Sequence, residues 1–305
     1  MNRVRAALGR AAVRCEPRGL PLAFGRSALA AAHLAVLAAN SDADLFIGGV
    51  DPRCDGVRAI GLWCLTGGSG QGAQVARVVA VVVLGVVLSG LSPRWTCVPH
   101  WYVAFSFAAG LPPVDGGDEI AQVTTLLLIP LCLGDDRVWQ WSAVRGPLPA
   151  PLRGVALAGL CTIRAQICVI YLSASVSKLR DPQWRQGTGL HLVMHDPDHG
   201  LSSSVRDALG PVLGSYWLIA TATWAVIVVQ LAIAVAVLGG RSARRVALVL
   251  GVGLHGTIAV MMNLPAFGLV VIGLLAVGCA SMSDRSGDAA PGGGGVRPEP
   301  GRVVD

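Results

Sequence analysis

Seven long apolar runs constrain this chain more than any other feature of its sequence; they cover approximately residues 24–40, 75–91, 119–134, 152–175, 216–238, 245–262 and 264–281. A helix that crosses a membrane needs about 20 mostly apolar residues, and these runs approach that length. Only 14% of the residues are charged and 53% are hydrophobic, whereas a soluble domain carries roughly 25% charged residues. The chain is therefore predicted to be a multi-pass protein of the cell membrane.

The distribution of arginine decides whether a shorter aromatic run, Val98 to Val114, crosses the membrane. Arginines crowd the N-terminal segment, the loop at 135–153 and the short connection after Leu238, and basic residues favour the cytoplasmic side. All three stretches lie inside only if the chain crosses the membrane an even number of times before residue 135, so the aromatic run counts as a crossing. The predicted fold class is all-α: a polytopic membrane helical bundle of about eight transmembrane helices, with both termini cytoplasmic.

This reasoning divides the chain into three parts. Residues 1–24 form a basic cytoplasmic N-terminal segment, and residues 25–281 form the transmembrane bundle. Residues 282–305 contain a glycine run and a Pro-Glu-Pro sequence, which predicts a disordered tail because too little apolar surface is available to fold. The lipid bilayer is the first expected partner. No nucleic-acid partner is expected, because the basic residues cluster on the cytoplasmic flanks of the helices.

Two of the eight cysteines share the first outward loop, namely Cys54 and Cys64. In a bacterium-like cell this side of the membrane is oxidising. A disulfide between them is one hypothesis. Cys97 is the competing partner if the aromatic run enters the membrane without crossing it.

Lys178 is the only lysine among 24 basic residues. Lysine can lose its proton when buried and arginine cannot, so a single lysine points to a position where only an amine works. The residue lies at the outer end of a predicted span. There the amine can extend to the lipid headgroups, or it can turn inward and act as a base.

Other titratable residues lie at span ends or at membrane depth. Asp118 and Glu119, with the preceding Asp115, begin a span, where the helix dipole stabilises carboxylates; alternatively one of them faces a cavity as a base or counter-ion. His255 lies inside a span, and Gln230 in the preceding span is a plausible hydrogen-bond partner for it. A structural hydrogen bond and a catalytic role both remain open for this histidine.

Three histidines at a spacing of four, His191, His195 and His199, have a metal-binding spacing if they are helical. Asp196-Pro197 biases the chain out of a helix before the third histidine. A solvated loop is therefore favoured, and no metal site is predicted.

An ordered series of short motifs resembles a known family. The run from Tyr171 to Gly187, with Lys178 and Trp184 inside it, resembles the lysine motif of the HTTM domain, which is shared with vitamin K-dependent gamma-carboxylase. The span with His255 and the following helix are similar to the closing helices of that domain. Stretches of the first half resemble the sporulation-delaying protein B (SdpB) family: 46–65, 89–93, Trp101, 115–118 and 135–139.

The resemblance implies a membrane protein that helps to produce a secreted peptide toxin, or bacteriocin, from its precursor, beside an accessory protein encoded nearby that is similar to sporulation-delaying protein A. It implies that Lys178 takes the role of the carboxylase lysine, which deprotonates vitamin K hydroquinone, and that a quinone-like lipid cofactor binds. The predicted catalytic set is Lys178, Asp118 and His255, and the substrate-binding or supporting residues are Glu119, Tyr171, Trp184, Gly187 and Gln230.

Two alternatives to this maturation role stay open. One is an HTTM-type membrane enzyme that modifies a peptide, as gamma-carboxylase does, with a quinone-like cofactor. The other is a transporter or an immunity-type binding protein without catalysis.

Overall fold

The computed structural model describes residues 15–45, 52, 54–68, 70–111, 116–197 and 199–280. Within these ranges the chain is all-helical, and the one β-type contact is an isolated bridge between Leu91 and Trp139. Its long helices are α1 (Leu20–Ala39), α2 (Gln71–Ser89), α3 (Pro93–Gly110), α4 (Gly117–Cys132), α5 (Ala150–Arg180), α6 (Tyr216–Ala236), α7 (Arg241–Met261) and α8 (Pro265–Gly278).

Short helical segments connect some of the long ones: Asp42–Leu45, the 3-10 helix Gly56–Ile60, Leu62–Leu65, Pro182–Arg185, Gly189–Met194, Ser203–Ala208 and Gly210–Leu213. Three sequence predictions fall outside the described residues. These are most of the basic segment 1–24, the tail 282–305 and the carboxylate of Asp115.

Five of the long helices, α1, α2, α5, α6 and α7, are long and apolar enough to cross a membrane. The shorter apolar helix α8 has 14 residues, and α3 and α4 have 18 and 16. The all-helical fold is thus confirmed, and the length and composition of the five apolar helices indicate a membrane protein.

Helix ends differ from the predicted spans by a few residues. α1 begins at Leu20, so the predicted boundary at residue 24 falls inside a helix. α5 continues past residue 175 and ends at Arg180. The next residue, Asp181, precedes a proline, and a proline disfavours helical geometry in the residue before it. Residues 98–110 of the aromatic run belong to the continuous helix α3, which ends at Gly110.

Helix α8 lies at the centre of the bundle and packs against α1, α4, α5 and α7. Its contact with α1 is close because glycines face each other: a Cβ atom added at Gly25 would lie 2.8 Å from the carbonyl oxygen of Gly273. Small residues allow helix backbones to approach in this way. The first and last long helices therefore pack together, and polar residues of α1 become buried.

The loop between α4 and α5 is tied to the buried polar residues of α1. Arg26 is 1% exposed, and its Nη1 and Nη2 donate to Gln140 Oε1 at 2.6 Å and to Thr96 Oγ1 at 2.8 Å. Gln140 Nε2 in turn donates to Ser27 Oγ at 3.0 Å. A guanidinium at this depth requires such partners, because burial removes its hydration.

At the opposite end of α3, a disulfide joins Cys54 and Cys64, whose Cα atoms are 5.5 Å apart. The loop docks on α3, since the Leu62 amide donates to Ser106 Oγ at 2.9 Å. Cys97, the competing partner, is buried and free near the beginning of α3. About nine residues of helix at 1.5 Å each separate it from Ser106, so it is too far from this loop to pair.

Candidate functional site

Lys178 lies in the last turn of α5, and its Nζ is 5.0 Å from the centroid of the Trp184 ring. The chain reverses direction between them, because Asp181 Oδ1 accepts a hydrogen bond from the Gln183 amide at 2.8 Å and starts the short helix that carries Trp184. An ammonium over an indole face is attracted by the ring quadrupole. Within the described residues, Lys178 forms no ion pair with a carboxylate.

Gly187 attaches this turn to α6. Its φ angle is +81°, and an added Cβ would lie 2.7 Å from the Ala220 Cβ. Its carbonyl oxygen accepts a hydrogen bond from Thr223 Oγ1 at 3.0 Å. Glycine is required here both for the left-handed conformation and for the close approach. Gly187 therefore fixes the turn that carries Trp184 against α6.

Two turns before Lys178, the ring of Tyr171 meets His255 of α7 edge-on, with centroids 5.8 Å apart. His255 also contacts Phe267 of α8, at 5.4 Å, and it lies within electrostatic reach of Lys178. The Tyr171 hydroxyl and both ring nitrogens of His255 are buried without a hydrogen-bond partner. Tyr171 and His255 therefore place three polar atoms without hydrogen-bond partners inside an apolar core.

The predicted hydrogen bond between Gln230 and His255 is wrong. Gln230 Oε1 is buried without a partner, and so are both His255 nitrogens. The reason is the orientation of the histidine ring, which contacts Tyr171 of α5 and Phe267 of α8.

A cavity of about 400 Å³ lies between the second half of α1 and the beginnings of α4 and α8. His33 of α1 and Asp118 of α4 line it, and His33 Nε2 is 3.5 Å from Asp118 Oδ1. Glu119 is exposed and does not line this cavity. The remaining lining residues are Ala32, Ala35, Val36, Ala39, Asn40, Asp44, Leu45, Leu111, Gly117, Asn263, Leu264, Pro265, Ala266, Phe267 and Val270.

The three predicted catalytic residues are therefore divided between two places. Asp118 lines the cavity, whereas Lys178 and His255 do not. Phe267 stands between the two places, because it lines the cavity and also contacts the His255 ring.

Two curated proteins of Bacillus subtilis are similar to this chain. "Uncharacterized protein YitO" is 30% identical over 223 residues, which are 71% of this chain and 70% of that protein. "Sporulation-delaying protein SdpB" is 29% identical over 257 residues, which are 84% of this chain and 79% of that protein. The chain belongs to the SdpB-like family. No family model matches it, and no solved structure does.

In this SdpB-like chain, sequence reasoning missed the buried polar residues of α1. Arg26 and His33 are each 1% exposed, although both stand in the first predicted span. The rule that singled out His255, that an ionisable residue at membrane depth faces the interior, applies equally to them. His100 of α3, also 1% exposed, is a third example.

Of the three histidines spaced four residues apart, the first lies in a helix and the other two lie beyond its end. His191 lies in the helix Gly189–Met194, and the His195 ring is 4.1 Å from the His191 ring. The His199 amide donates to Asp196 Oδ1 at 2.9 Å. Among the residues that the structure describes, no group of three or more possible metal ligands is found.

Proposed function

We propose that this chain is a multi-pass membrane protein needed to produce a secreted peptide toxin from its precursor. The observation that carries the proposal is the similarity to a sporulation-delaying protein over 84% of the chain. The expected partners are the lipid bilayer, the secreted precursor peptide and an accessory protein encoded nearby, similar to sporulation-delaying protein A.

The proposal includes eight membrane crossings with both ends in the cytoplasm. Five apolar helices support it, and α3, α4 and α8 supply three further crossings. α8 is short, but almost all of its residues after Phe267 are buried by other helices. Its length therefore does not have to equal the thickness of the lipid core. With this topology Asp118, Lys178 and the Cys54–Cys64 loop face outward, on the side where a secreted peptide is released.

Within this function we propose that Lys178 acts through its amine. The contact with Trp184 supports this role, because it holds the ammonium 5.0 Å from the centre of an aromatic ring. A lysine in such surroundings can exchange its proton, whereas an arginine cannot.

The test is production of the peptide in cells that carry each variant. Lys178→Arg keeps the charge and the stacking on Trp184 but removes the exchangeable proton, so we expect the mature peptide to disappear while the precursor accumulates in mass spectra. Arg180→Lys, an exposed position two residues further along, is the matched control and should leave production unchanged. Normal production by Lys178→Arg contradicts the chemical role and leaves Lys178 as an anchor.

A second candidate function is a membrane enzyme with a quinone-like cofactor. The buried, unpartnered polar atoms of Tyr171 and His255 favour it, because a catalytic role is one explanation for a buried polar group without a hydrogen bond. Lys178, which the family resemblance implies to be the base, does not line the cavity. A cofactor bound in this cavity would therefore not meet that base. A quinone extracted with the purified protein, at one molecule per chain, is the result that favours this function.

A transporter or an immunity-type binding protein makes a different prediction. In that case the peptide leaves the cell with the same mass whether or not this protein is present. Deletion then changes only the exported amount or the resistance of the cell.

A further inference from the structure

The carboxylates that line the cavity between α1, α4 and α8 give it a negative charge. Two carboxylates line it, Asp44 and Asp118, together with the amides of Asn40 and Asn263. In the part of the chain that the structure describes, no lysine or arginine lines this cavity. Its remaining walls are largely apolar, with Phe267 and Val270 on the side of α8.

A guanidinium at the end of α1 beside the cavity, that of Arg77, is already engaged. Arg77 of α2 pairs with Asp42, with Nε 2.6 Å from Oδ1, and its Nη2 donates to the carbonyl oxygen of Asn40 at 2.7 Å. It also donates to the carbonyl oxygen of Leu37. The arginine therefore holds the end of α1 in place, and its charge is satisfied outside the cavity.

Hydrogen bonds stabilise the ionised form of one of the two cavity carboxylates, Asp44. Hydrogen bonds from the hydroxyl and the amide of Ser41 lower the pKa of the Asp44 carboxyl. Asp118 lies in the first turn of α4, where the helix dipole favours a negative charge. An anionic ligand would meet both charges, so its binding is disfavoured.

His33 is a second, independent sign of a ligand site. Its side chain lines the cavity and is 1% exposed. Neither ring nitrogen forms a hydrogen bond, although Nε2 lies 3.5 Å from Asp118 Oδ1. A buried polar group without a hydrogen bond costs free energy. A ligand that donates a hydrogen bond to Nε2, beside Asp118, would reduce this cost.

We propose that this cavity binds an amphipathic cation, an apolar group that ends in a protonated amine. The ammonium donates hydrogen bonds to Asp118 and to His33, and the apolar part packs against Phe267 and Val270. A volume of about 400 Å³ is near the lower limit of small-molecule sites, roughly 300–1,000 Å³. It fits a small amine or one residue of a peptide, and the proposal does not depend on toxin production.

Binding is measured on the full chain in detergent, by calorimetry, with hexylamine and its uncharged counterpart hexanol as probes. We expect hexylamine to bind at least about tenfold more tightly, since a hydrogen bond to a charged group contributes that much discrimination. The preference should fall as salt concentration rises. A short peptide with a free apolar N-terminus, compared with its N-acetylated form, tests whether a peptide amine is also accepted.

Matched variants locate the binding. Asp118→Asn should remove the preference for the amine, whereas Asp207→Asn removes an exposed carboxylate that does not line the cavity and should retain it. Ala39→Phe places a ring in the cavity from an exposed lining position and should weaken both probes, without relying on a charge change. Each variant is first checked for native helix content and a monodisperse elution profile.

Three outcomes overturn the proposal. Equal binding of amine and alcohol by the unmodified chain shows an apolar pocket only. A preference that persists in Asp118→Asn places the cation elsewhere, and unchanged hexylamine binding in Ala39→Phe does the same. None of these experiments measures toxin production. The cavity proposal and the proposed function can therefore fail independently.

Discussion

The contact between α1 and α8 predicts a large cost for one added methyl group, in Gly25→Ala. A Cβ at this position would lie 2.3 Å from Val277 Cγ2 and 2.8 Å from the Gly273 carbonyl oxygen. Ordinary van der Waals contact begins at about 3.4 Å, so the side-chain contact is too close by about 1.1 Å and the backbone contact by about 0.6 Å. Rotation of Val277 can relieve the first contact, but only separation of the helices relieves the second.

Overpacking of this kind costs about 1–3 kcal/mol. Part of it is offset because alanine is a better helix former than glycine by about 1 kcal/mol. The matched control is Gly85→Ala in the middle of α2, where an added Cβ meets nothing within 4 Å. That variant should be neutral or more stable, so the two identical substitutions are expected to differ in sign.

The assay is reversible unfolding in mixed micelles with increasing sodium dodecyl sulfate, followed by circular dichroism. We expect the unfolding midpoint of Gly25→Ala to move to lower denaturant and that of Gly85→Ala to stay or rise. Hexylamine binding provides a second measurement, because α1 and α8 both line the cavity and their separation should change its affinity. Equal midpoints for the two variants would refute the close contact of the first and last long helices.

Three further predictions concern other parts of the fold. Iodoacetamide applied without reductant should leave Cys54 and Cys64 unlabelled, and Cys54→Ser should lower the free energy of unfolding by about 2–4 kcal/mol; labelling at Cys54 in the native protein contradicts the bridge. Gln140→Leu should destabilise by about 2–3 kcal/mol, because it leaves the buried Arg26 guanidinium short of a partner, and Arg26→Met should cost less because the charge leaves too; the reverse order in chemical denaturation argues against a buried cation. Burial, aided by the neighbouring Glu16 carboxylate, raises the pKa of the Cys15 thiol to about 11, so its alkylation should accelerate only as the pH approaches that value; a half-maximal rate near pH 9, read from peptide mass spectra, contradicts the burial.

The helices were largely predictable because their signal is local. A long uncharged run such as 216–238 carries its own reason to be helical, since a backbone in lipid must satisfy its hydrogen bonds internally. The ends were less predictable: α5 continues through Ser177 and Lys178 to Arg180, because polar side chains can remain on a helix where it leaves the apolar layer.

The candidate site was predictable only in part. Asp118 and His255 were found because ionisable residues near or inside a span are expensive. Their separation by Phe267 was not predictable, because it depends on how α7 and α8 pack. Gln230 illustrates the same limit: its position in the preceding span suggested a bond to His255, but the histidine ring packs against Tyr171 and Phe267 instead.

By itself, the sequence determined that this is a helical membrane protein, that its single lysine stands at a helix end, and that its motifs resemble the SdpB family. All three follow from composition and from residues close together along the chain. Only the tertiary structure decided that α1 lies inside the bundle against α8, and that His33 and Asp118 meet across a cavity. Such contacts join residues that are 85 or more positions apart, and they depend on close packing at glycines such as Gly25 and Gly273 that no local pattern specifies.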